Sequence, residues 1–295
     1  GYKVGGFNSC FTSDVIAAAG VSSSASFEMM ICAILNILFN DGKIPLAKLV
    51  AIGQFAENAY WDKASGQLDQ TACAAGGIIC IDFENKEEPL TRKVNFDFAA
   101  AGYTMMLVVT GKGHADLSAE YSAVPQEMKA VASFFGQDTL RGLSFEDITK
   151  NLPALRAKFG DRAVMRSLHF FEENVRVEKE IEALEKGDFA SFLKLVEASG
   201  NSSWKWLQNI CVPGVAEEQP MAICLALSEY FIRTHNKGAC RLHGGGFAGV
   251  IQAFIPNELA DEYVDFMNEA LNGGKDGKNN VYRMTIRPLG TIEIC

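Results

Sequence analysis

Apolar and polar positions along the chain follow helical spacing in some segments and strand spacing in others. A run of small residues at 20–26 leads into an apolar segment, which predicts a helix over residues 23–39 that stops at Asn40-Asp41-Gly42. Pro45, a residue type favoured at the first helical position, predicts the start of a second helix that reaches Trp61. The chain is therefore predicted to place two helices ahead of its first strand.

The rest of the chain repeats this mixture. An amphipathic helix is predicted over residues 172–186, and Gly187-Asp188 interrupts it before a further helix over 189–198. A last helix is predicted over residues 257–271. Strand patterns occupy residues 77–83, 94–98, 103–109, 239–242, 247–255 and 281–286. The mixture argues against an all-α or all-β fold, and the best candidate for a domain boundary is the loop before Tyr103.

The composition is typical of a globular protein of about two domains. Of the 295 residues, 48% are hydrophobic and 21% are charged, which is enough apolar surface for a sizeable core. A net charge of −9 without Lys/Arg clusters argues against a nucleic-acid surface, because phosphate backbones attract basic side chains. A negative chain still binds an anion locally through backbone N–H groups and helix ends. We therefore expect a small-molecule site and no nucleic-acid partner.

Cysteine usage and hydropathy indicate the compartment. The eight cysteines form no C-x-x-C pair, and Cys32, Cys80 and Cys224 interrupt apolar runs, which is typical of reduced thiols that pack as small hydrophobes. The longest apolar stretch, residues 29–39, is shorter than the ~20 residues that span a bilayer. No basic segment followed by a hydrophobic one opens the chain. The sequence predicts a cytoplasmic protein with no membrane partner.

The segment A-A-G-V-S-S-S-A-S at residues 18–26 is a candidate phosphate site. Its glycine and hydroxyl residues lie at a predicted helix start, where unpaired backbone N–H groups and the positive helix end attract phosphate. A serine hydroxyl in such a loop can also ligate Mg²⁺. The alternative is a serine that caps an apolar helix and binds nothing. The residues alone leave both interpretations open.

Two carboxylates are candidates for chemistry. Glu57 follows Val50 and Gly53 on the apolar face of the second predicted helix, so its carboxylate points to the interior and needs a cation or hydrogen-bond donors. A divalent metal and an arginine satisfy that need equally well. Asp69 precedes a run of small residues that lets a ligand approach closely, and its alternative role is that of a helix N-cap.

A third candidate is L-H-G-G-G-F-A-G at residues 242–249, between two predicted strands. Three consecutive glycines form a loop without side chains, which can bring backbone N–H groups near a phosphate. The alternative is a flexible hairpin turn. The four histidines lack metal-ligand spacing and are interpreted as surface or packing residues.

Together these segments resemble the galactokinases of the GHMP small-molecule kinase superfamily. The phosphate loop of that family resembles G-A-G-L-S-S-S-A-S, and its A-E pair is followed twelve residues later by the aspartate of C-G-I-M-D-Q. Here Ala56-Glu57 is followed by S-G-Q-L-D-Q, with Asp69 twelve residues after Glu57. The family's M-T-G-G-G-F-G-G resembles residues 242–249, and its S-S-E-Y resembles residues 118–121. The resemblance covers nearly the whole chain in the same order.

The resemblance implies a fold and a reaction. The fold would be α+β with the two-domain GHMP kinase architecture. Residues 1–98 would form an incomplete N-terminal, ATP-binding domain like domain 2 of ribosomal protein S5, and residues 99–295 a ferredoxin-like α+β domain. The reaction would transfer the γ-phosphate of MgATP to the C1 hydroxyl of galactose, a chemistry that depends on positioning, a metal and charge neutralisation.

The resemblance also implies residue roles. Asp69 would be the general base or orienting group for the anomeric hydroxyl, with Gly66 and Tyr121 lining the sugar site. Ser24 and Glu57 would hold Mg²⁺. The ATP phosphates would be bound by Gly20, Ser22, Ser23 and Ser24 and supported by Gly244, Gly245 and Gly246.

Departures from the family pattern keep alternatives open. S-A-V-P-Q replaces a basic pair after Tyr121, and His243 and Ala248 replace a Thr and a Gly. The motif resembling G-E-H-x-D-Y is absent, as is the arginine ahead of it, so we expect the N-terminal portion of the family fold to be missing from this chain. The alternatives are a kinase for N-acetylgalactosamine or another sugar, and a non-catalytic sensor of sugar or ATP. We expect a monomer or weak dimer.

Overall fold

The structure, a computed structural model, describes residues 1–15, 21–60, 65–85, 88–111, 117–273 and 279–294. The chain divides into two compact units, one formed by residues 1–95 with 286–295 and the other by residues 96–285. The last ten residues therefore pack with the first unit, a placement that the sequence did not indicate.

The first unit combines helices with one described hairpin. Three helices pack on each other around Met29, Cys32 and Val50. The strands of the hairpin pair in antiparallel register, with Ile78 opposite Val94. The elements are α1 (Ser23–Asn40), α2 (Leu46–Tyr60), α3 (Leu68–Ala75), β1 (Ile78–Asp82) and β2 (Leu90–Val94). The predicted helices over 23–39 and from Pro45, and the strand over 77–83, are confirmed.

Helix α1 is long and apolar enough to cross a membrane by length and composition alone. In the structure it packs against α2 and α3 and buries the polar side chains of Glu28 and Asn36. The Asn36 amide bonds Ile44 in both directions, accepting from its N–H at 2.9 Å and donating to its carbonyl at 3.3 Å. These contacts are those of a core helix in a folded unit.

The second unit is built on an antiparallel sheet. Its described strands are β3 (Tyr103–Val109), β4 (Ala239–His243), β5 (Val250–Pro256) and β6 (Val281–Met284), and they lie in the order β4-β5-β3-β6. Its α-helices are α4 (Ser118–Phe134), α5 (Phe145–Lys150), α6 (Leu152–Phe159), α7 (Asp161–Glu185), α8 (Phe189–Ser202), α9 (Pro220–His235) and α10 (Ala260–Asn272). With α4–α9 between β3 and β4, and α10 between β5 and β6, the chain follows the ferredoxin-like β-α-β-β-α-β order. The predicted α+β fold is confirmed.

The two faces of this sheet carry different cores. One face packs Met106, Ile251 and Ile255 against α9 and α10. On the other face, Phe254 contacts Phe98, Phe189 and Phe192 with ring centroids 5.1–6.2 Å apart. The alternation of side chains along each strand supplies both faces from one sequence.

The predicted strand over residues 94–98 is wrong. Strand β2 ends at Val94, and residues 98–102 form a turn. The Asp97 carboxylate accepts a hydrogen bond from the Ala100 N–H at 3.1 Å, and the Asp97 carbonyl accepts one from Ala101 at 3.0 Å. Phe96 and Phe98 point into the aromatic core. Their alternation with polar residues therefore reflects packing in this core and not pairing in a strand, which would give the same pattern.

Candidate active site

In the first unit, the structure brings together two of the predicted site residues. The Ser24 hydroxyl donates a hydrogen bond of 2.7 Å to Glu57 Oε1. Ser24 lies in the first turn of α1, and Glu57 lies near the end of α2 with 2% of its surface exposed. The helical spacing predicted an inward-facing carboxylate at position 57, and the structure confirms this placement.

Two further side chains join this pair that the sequence did not single out. The side-chain amide of Gln70 donates to Glu57 Oε2 and to Glu28 Oε2, each at 3.1 Å. Gln70 is fully buried and Glu28 is 7% exposed. The available signal was weak: Glu28 lies four residues after Ser24 on one helical face, and Gln70 follows Asp69 directly.

The predicted phosphate loop is described from Val21 onward, and Gly20 lies outside the described residues. Ser22 is the N-cap residue of α1 with a left-handed backbone (φ 57°), and in the described part of the chain its side chain makes no capping hydrogen bond. Ser23 and Ser24 form the first turn. Ser22 therefore holds the N-cap position that the alternative interpretation predicted, but its hydroxyl does not satisfy the N–H groups of the first turn.

Asp69 is half-buried in the first turn of α3, where Gln67 holds the N-cap position. The alternative role of Asp69 as the N-cap is therefore wrong. A carboxylate in a first turn is favoured by the helix dipole. Gly66 lies exposed just ahead of this helix, with open space where a Cβ would be.

Two cysteines border the carboxylates. Burial, reinforced by the negative charge of Glu28, raises the pKa of the Cys32 thiol to about 11. Burial also raises the pKa of Cys73 to about 11, with Asp69 and Glu28 adding to the effect. Both thiols are therefore neutral at physiological pH, and they pack as small apolar groups beside the charged cluster.

In the second unit, the predicted glycine loop and Tyr121 lie together. The Tyr121 hydroxyl donates to the Gly246 carbonyl at 2.7 Å, and its ring lies edge-on to Phe247 at 5.6 Å. A Cβ at Gly245 would lie 2.7 Å from the Tyr121 ring, whereas Gly244 is exposed and open. Burial raises the pKa of Tyr121 to about 12, so the phenol keeps its proton.

The loop is also the hairpin connection that the alternative interpretation predicted. Strands β4 and β5 are paired up to His243 and Val250, and the glycines lie between them. His243 is a packing residue, as predicted, with Nδ1 3.0 Å from the Gln252 side-chain oxygen. The glycines therefore serve the turn and, at Gly245 and Gly246, close packing against neighbouring residues.

Asn209 is the residue in this region that sequence reasoning missed. Its side-chain amide donates to the Gly245 carbonyl at 2.9 Å, and its own carbonyl accepts from the Phe247 N–H at 2.6 Å. Asn209 follows a π-helical turn (Ser203–Leu207), a local distortion often found near functional sites. No motif or periodicity marks an asparagine that binds a loop 36 residues away.

A cavity of about 700 Å³ in the second unit holds none of the predicted site residues. It lies between α8, α9 and the start of β4, with charged side chains such as Lys194 and Glu229 on its walls. Cavity size alone does not identify the chemistry of a site. The hydroxyl, carboxylate and glycine groups described above are the ones that fit phosphate chemistry.

Comparison with known proteins first defines the class. Residues 1–77 match the family described as GHMP kinases N terminal domain. The fold is shared with L. major mevalonate kinase in complex with R-mevalonate, at a TM-score of 0.55, 16% identity and coverage of 91% of this chain and 66% of that one. The chain is thus similar to the GHMP kinases over residues 1–77 and shares their fold.

Within that class the similarity is to galactokinases, as the motifs predicted. The galactokinase of Actinobacillus pleuropneumoniae serotype 5b (strain L20) is 29% identical over 85% of this chain and 62% of its own length. That of Streptomyces coelicolor is 30% identical over 84% of this chain and 61% of its own length. Lactococcus lactis galactokinase, solved with galactose, matches with a TM-score of 0.74 at 23% identity, covering 94% and 68% of the two chains. The chain thus spans about 62% of the length of the curated relatives.

Proposed function

We propose that the protein is a galactokinase-like sugar kinase, which transfers the γ-phosphate of ATP to the C1 hydroxyl of galactose. The observation that carries the proposal is the 2.7 Å contact between Ser24 and buried Glu57 at the first turn of α1. A hydroxyl and a carboxylate that converge at a helix N-terminus are suited to a metal–phosphate group. The similarity to galactokinases supports galactose as the acceptor.

The nucleotide site would use two backbone features. Ser22, Ser23 and Ser24 begin α1, whose first-turn N–H groups and positive end favour the ATP phosphates, with Gly20 just ahead of them. In the second unit, the resemblance assigns nucleotide binding to Gly244, Gly245 and Gly246, a loop whose backbone groups are open to an anion. Both features bind anions with backbone groups, which is how a chain of net charge −9 can take a nucleotide.

The residues present fit Mg²⁺. Among the described residues no group of three or more His, Cys, Asp or Glu side chains is arranged to hold a metal. Mg²⁺ in kinases needs no such cage, because it is bound through one or two protein oxygens plus substrate phosphates. Ser24 and Glu57 would hold the ion, which would supply neutralisation of phosphate charge.

The transfer itself would use Asp69. Its carboxylate would accept the proton of the C1 hydroxyl as that oxygen bonds to the γ-phosphorus and the bond to the departing ADP oxygen breaks. The half-buried position of Asp69 leaves it accessible to a substrate. The resemblance assigns sugar binding to Gly66 in the first unit and to Tyr121 in the second unit. We place this activity in the cytoplasm, in a monomer or weak dimer.

The test is turnover by the full-length protein with MgATP and a panel of sugars. We expect galactose to be phosphorylated. Preference for N-acetylgalactosamine or another sugar would show that galactose is not the substrate. ATP and sugar binding by calorimetry without turnover would instead support the non-catalytic sensor.

Asp69→Asn is expected to reduce kcat by about 10²–10⁴-fold, the usual contribution of a general base, with little change in sugar affinity. Asp41→Asn is the matched control, because it removes the same charge at an exposed position of the same unit. If Asp69→Asn kept the turnover of the control, the role assigned to Asp69 would be wrong.

A further inference from the structure

Three helices of the first unit direct polar side chains to one buried point. Ser24 and Glu28 are one helical turn apart on α1 and therefore lie on the same face. Glu57 comes from α2 and Gln70 from α3. The hydrogen bonds run from Ser24 to Glu57, from Gln70 to Glu57, and from Gln70 to Glu28, so that one chain of contacts joins all three helices.

Gly53 makes this convergence sterically feasible. It lies one turn before Glu57 on α2, and a Cβ there would be 2.4 Å from Met29 Cε, 3.2 Å from Gln70 Cγ and 3.3 Å from Glu28 Oε2. A larger residue would displace the end of the Met29 side chain and press on Gln70 and Glu28. Gln70 is therefore held in place by close packing and does not move as an exposed side chain would.

The Gln70 amide is matched to two carboxylates at once. Its nitrogen carries two donors, and each is 3.1 Å from a different carboxylate oxygen, while its oxygen accepts no hydrogen bond in the described structure. The opposite amide orientation would place that oxygen against two anionic oxygens, so the carboxylates fix the orientation. Donation to charged acceptors in a buried place makes both bonds strong ones.

We propose that Gln70 is a positioning residue of the phosphoryl-transfer site, whose amide fixes Glu57 against Ser24 and keeps Glu28 at a set distance from it. The inference rests on the proposed role of Glu57 as a metal ligand. Because Gln70 follows Asp69 on α3, the same short helix orients the metal-holding carboxylate and carries the base. A metal ligand whose second oxygen is hydrogen-bonded is held in a single orientation.

The experiment measures Mg²⁺ dependence in the full-length protein. Gln70→Met removes both donors at nearly the same volume. We expect the Mg²⁺ concentration for half-maximal turnover to rise about tenfold, the usual effect of losing such a supporting contact, while KM for galactose stays within about twofold. Calorimetric titration of the protein with ADP in the presence of Mg²⁺ is a second readout that needs no turnover. The affinity for MgADP is expected to weaken by a similar factor.

Gln67→Met is the matched control. Gln67 lies one turn earlier on the same helix segment, and its amide donates to Gln54 Oε1 at 2.9 Å, so the substitution removes a comparable bond between uncharged groups. We expect its Mg²⁺ dependence to equal that of the unmodified protein. Glu57→Gln replaces the carboxylate that is proposed to hold the metal, and it shows how far the Mg²⁺ dependence changes when this ligand is lost completely.

The outcomes separate this inference from the proposed function. A Gln70→Met protein with normal Mg²⁺ dependence in both readouts overturns the inference, even if its melting temperature falls, because the role would then be structural only. If Gln70→Met does not fold, Gln70→Asn, which keeps a donor one methylene too short, is expected to show the same direction of change. If the unmodified protein binds MgADP but phosphorylates no sugar, the sugar kinase proposal fails while the titration still tests Gln70.

Discussion

Gly246 shows how tightly single residues are constrained in the glycine loop. Its backbone is left-handed (φ 89°), and a Cβ there would lie 2.1 Å from the Asn209 carbonyl oxygen. The next residue, Phe247, is also left-handed (φ 59°) although it is 2% exposed and has a bulky side chain. A bulky residue in that conformation is a strained one, and such strain is concentrated at functional sites. The loop is therefore held by its neighbours in a conformation it would not adopt alone.

Gly246→Ala is expected to reduce the free energy of unfolding by about 2–5 kcal/mol, from left-handed strain plus overpacking against Asn209. Gly214→Ala is the control, because Gly214 has a similar backbone (φ 79°) but open space around it, and about 1–2 kcal/mol is expected from strain alone. Urea denaturation measures both. Equal losses would show that the contact with Asn209 does not restrict position 246.

At the scale of elements, α7, α8 and β4 enclose a charged cluster. Glu173 of α7 forms an ion pair with Arg176 and accepts a hydrogen bond from Ser199 of α8. Burial raises the pKa of Glu180 to about 7, with Glu173 adding to the rise and Arg241 and Arg176 opposing it. Burial lowers the pKa of His169 to about 4. The packing of these elements thus creates titrating groups between acid and neutral pH.

The Glu180 shift predicts how stability changes with pH. The folded pKa of about 7 exceeds the ordinary value of 4.5, so between these pH values the folded protein keeps a proton that the unfolded chain releases, and stability falls as pH rises. Glu180→Gln removes this effect. The variant is expected to match the natural protein near pH 4.5 and to exceed it by about 1–2 kcal/mol above pH 7, after allowance for partial exposure.

Chemical denaturation across pH 4.5–8 provides the measurement. His169 changes protonation in both proteins, so its contribution cancels in the difference. Glu185→Gln is the control, since this glutamate lies exposed on the same helix. A stability difference for Glu180→Gln that stays constant with pH would contradict the assigned shift.

At the scale of the whole molecule, the chain ends in the unit in which it begins. The Gly77 N–H donates to the Arg287 carbonyl at 2.8 Å, and the Thr291 N–H donates to the Ala74 carbonyl at 3.3 Å. A Cβ at Gly290 would lie 1.9 Å from the Ala74 carbonyl oxygen, so the two segments are in direct contact. The first unit therefore needs residues from both ends of the chain.

Deletion of residues 286–295 is expected to open the end of α3 and the start of β1. Amide exchange at Gly77 should accelerate by tenfold or more, because its hydrogen-bond acceptor is removed. Exchange of the β3 amides paired with β5 should not change, since that register lies wholly within the second unit. A shorter deletion of residues 293–295 leaves Thr291 and Arg287 in place and is the control. Unchanged protection at Gly77 would show that the segment does not contribute to the first unit.

Much of the local structure could be predicted because its causes are local. Helix α1 ends where Asn40-Asp41-Gly42 stops it, and α8 begins where the Asp188 carboxylate accepts from the Ser191 N–H at 3.1 Å. The local pattern gave a wrong prediction at residues 94–98, where alternating phenylalanines pack into a core instead of pairing as a strand. Periodicity reports which side chains are buried, but not what buries them.

The sequence by itself determined the mixture of helices and strands and the inward position of Glu57, and it predicted the segments for phosphate chemistry, since helical spacing and motif order depend on consecutive residues. Only the tertiary structure decided that Gln70 joins Glu28 to Glu57, that Asn209 binds the glycine loop, and that the Thr291 hydroxyl donates a hydrogen bond to the Cys73 carbonyl. Gln70 is 42 residues from Glu28 and 13 from Glu57. Asn209 is 36 residues from Gly245, and Thr291 is 218 residues from Cys73. Their geometry is set by the packing of whole elements, which no local pattern of residues encodes.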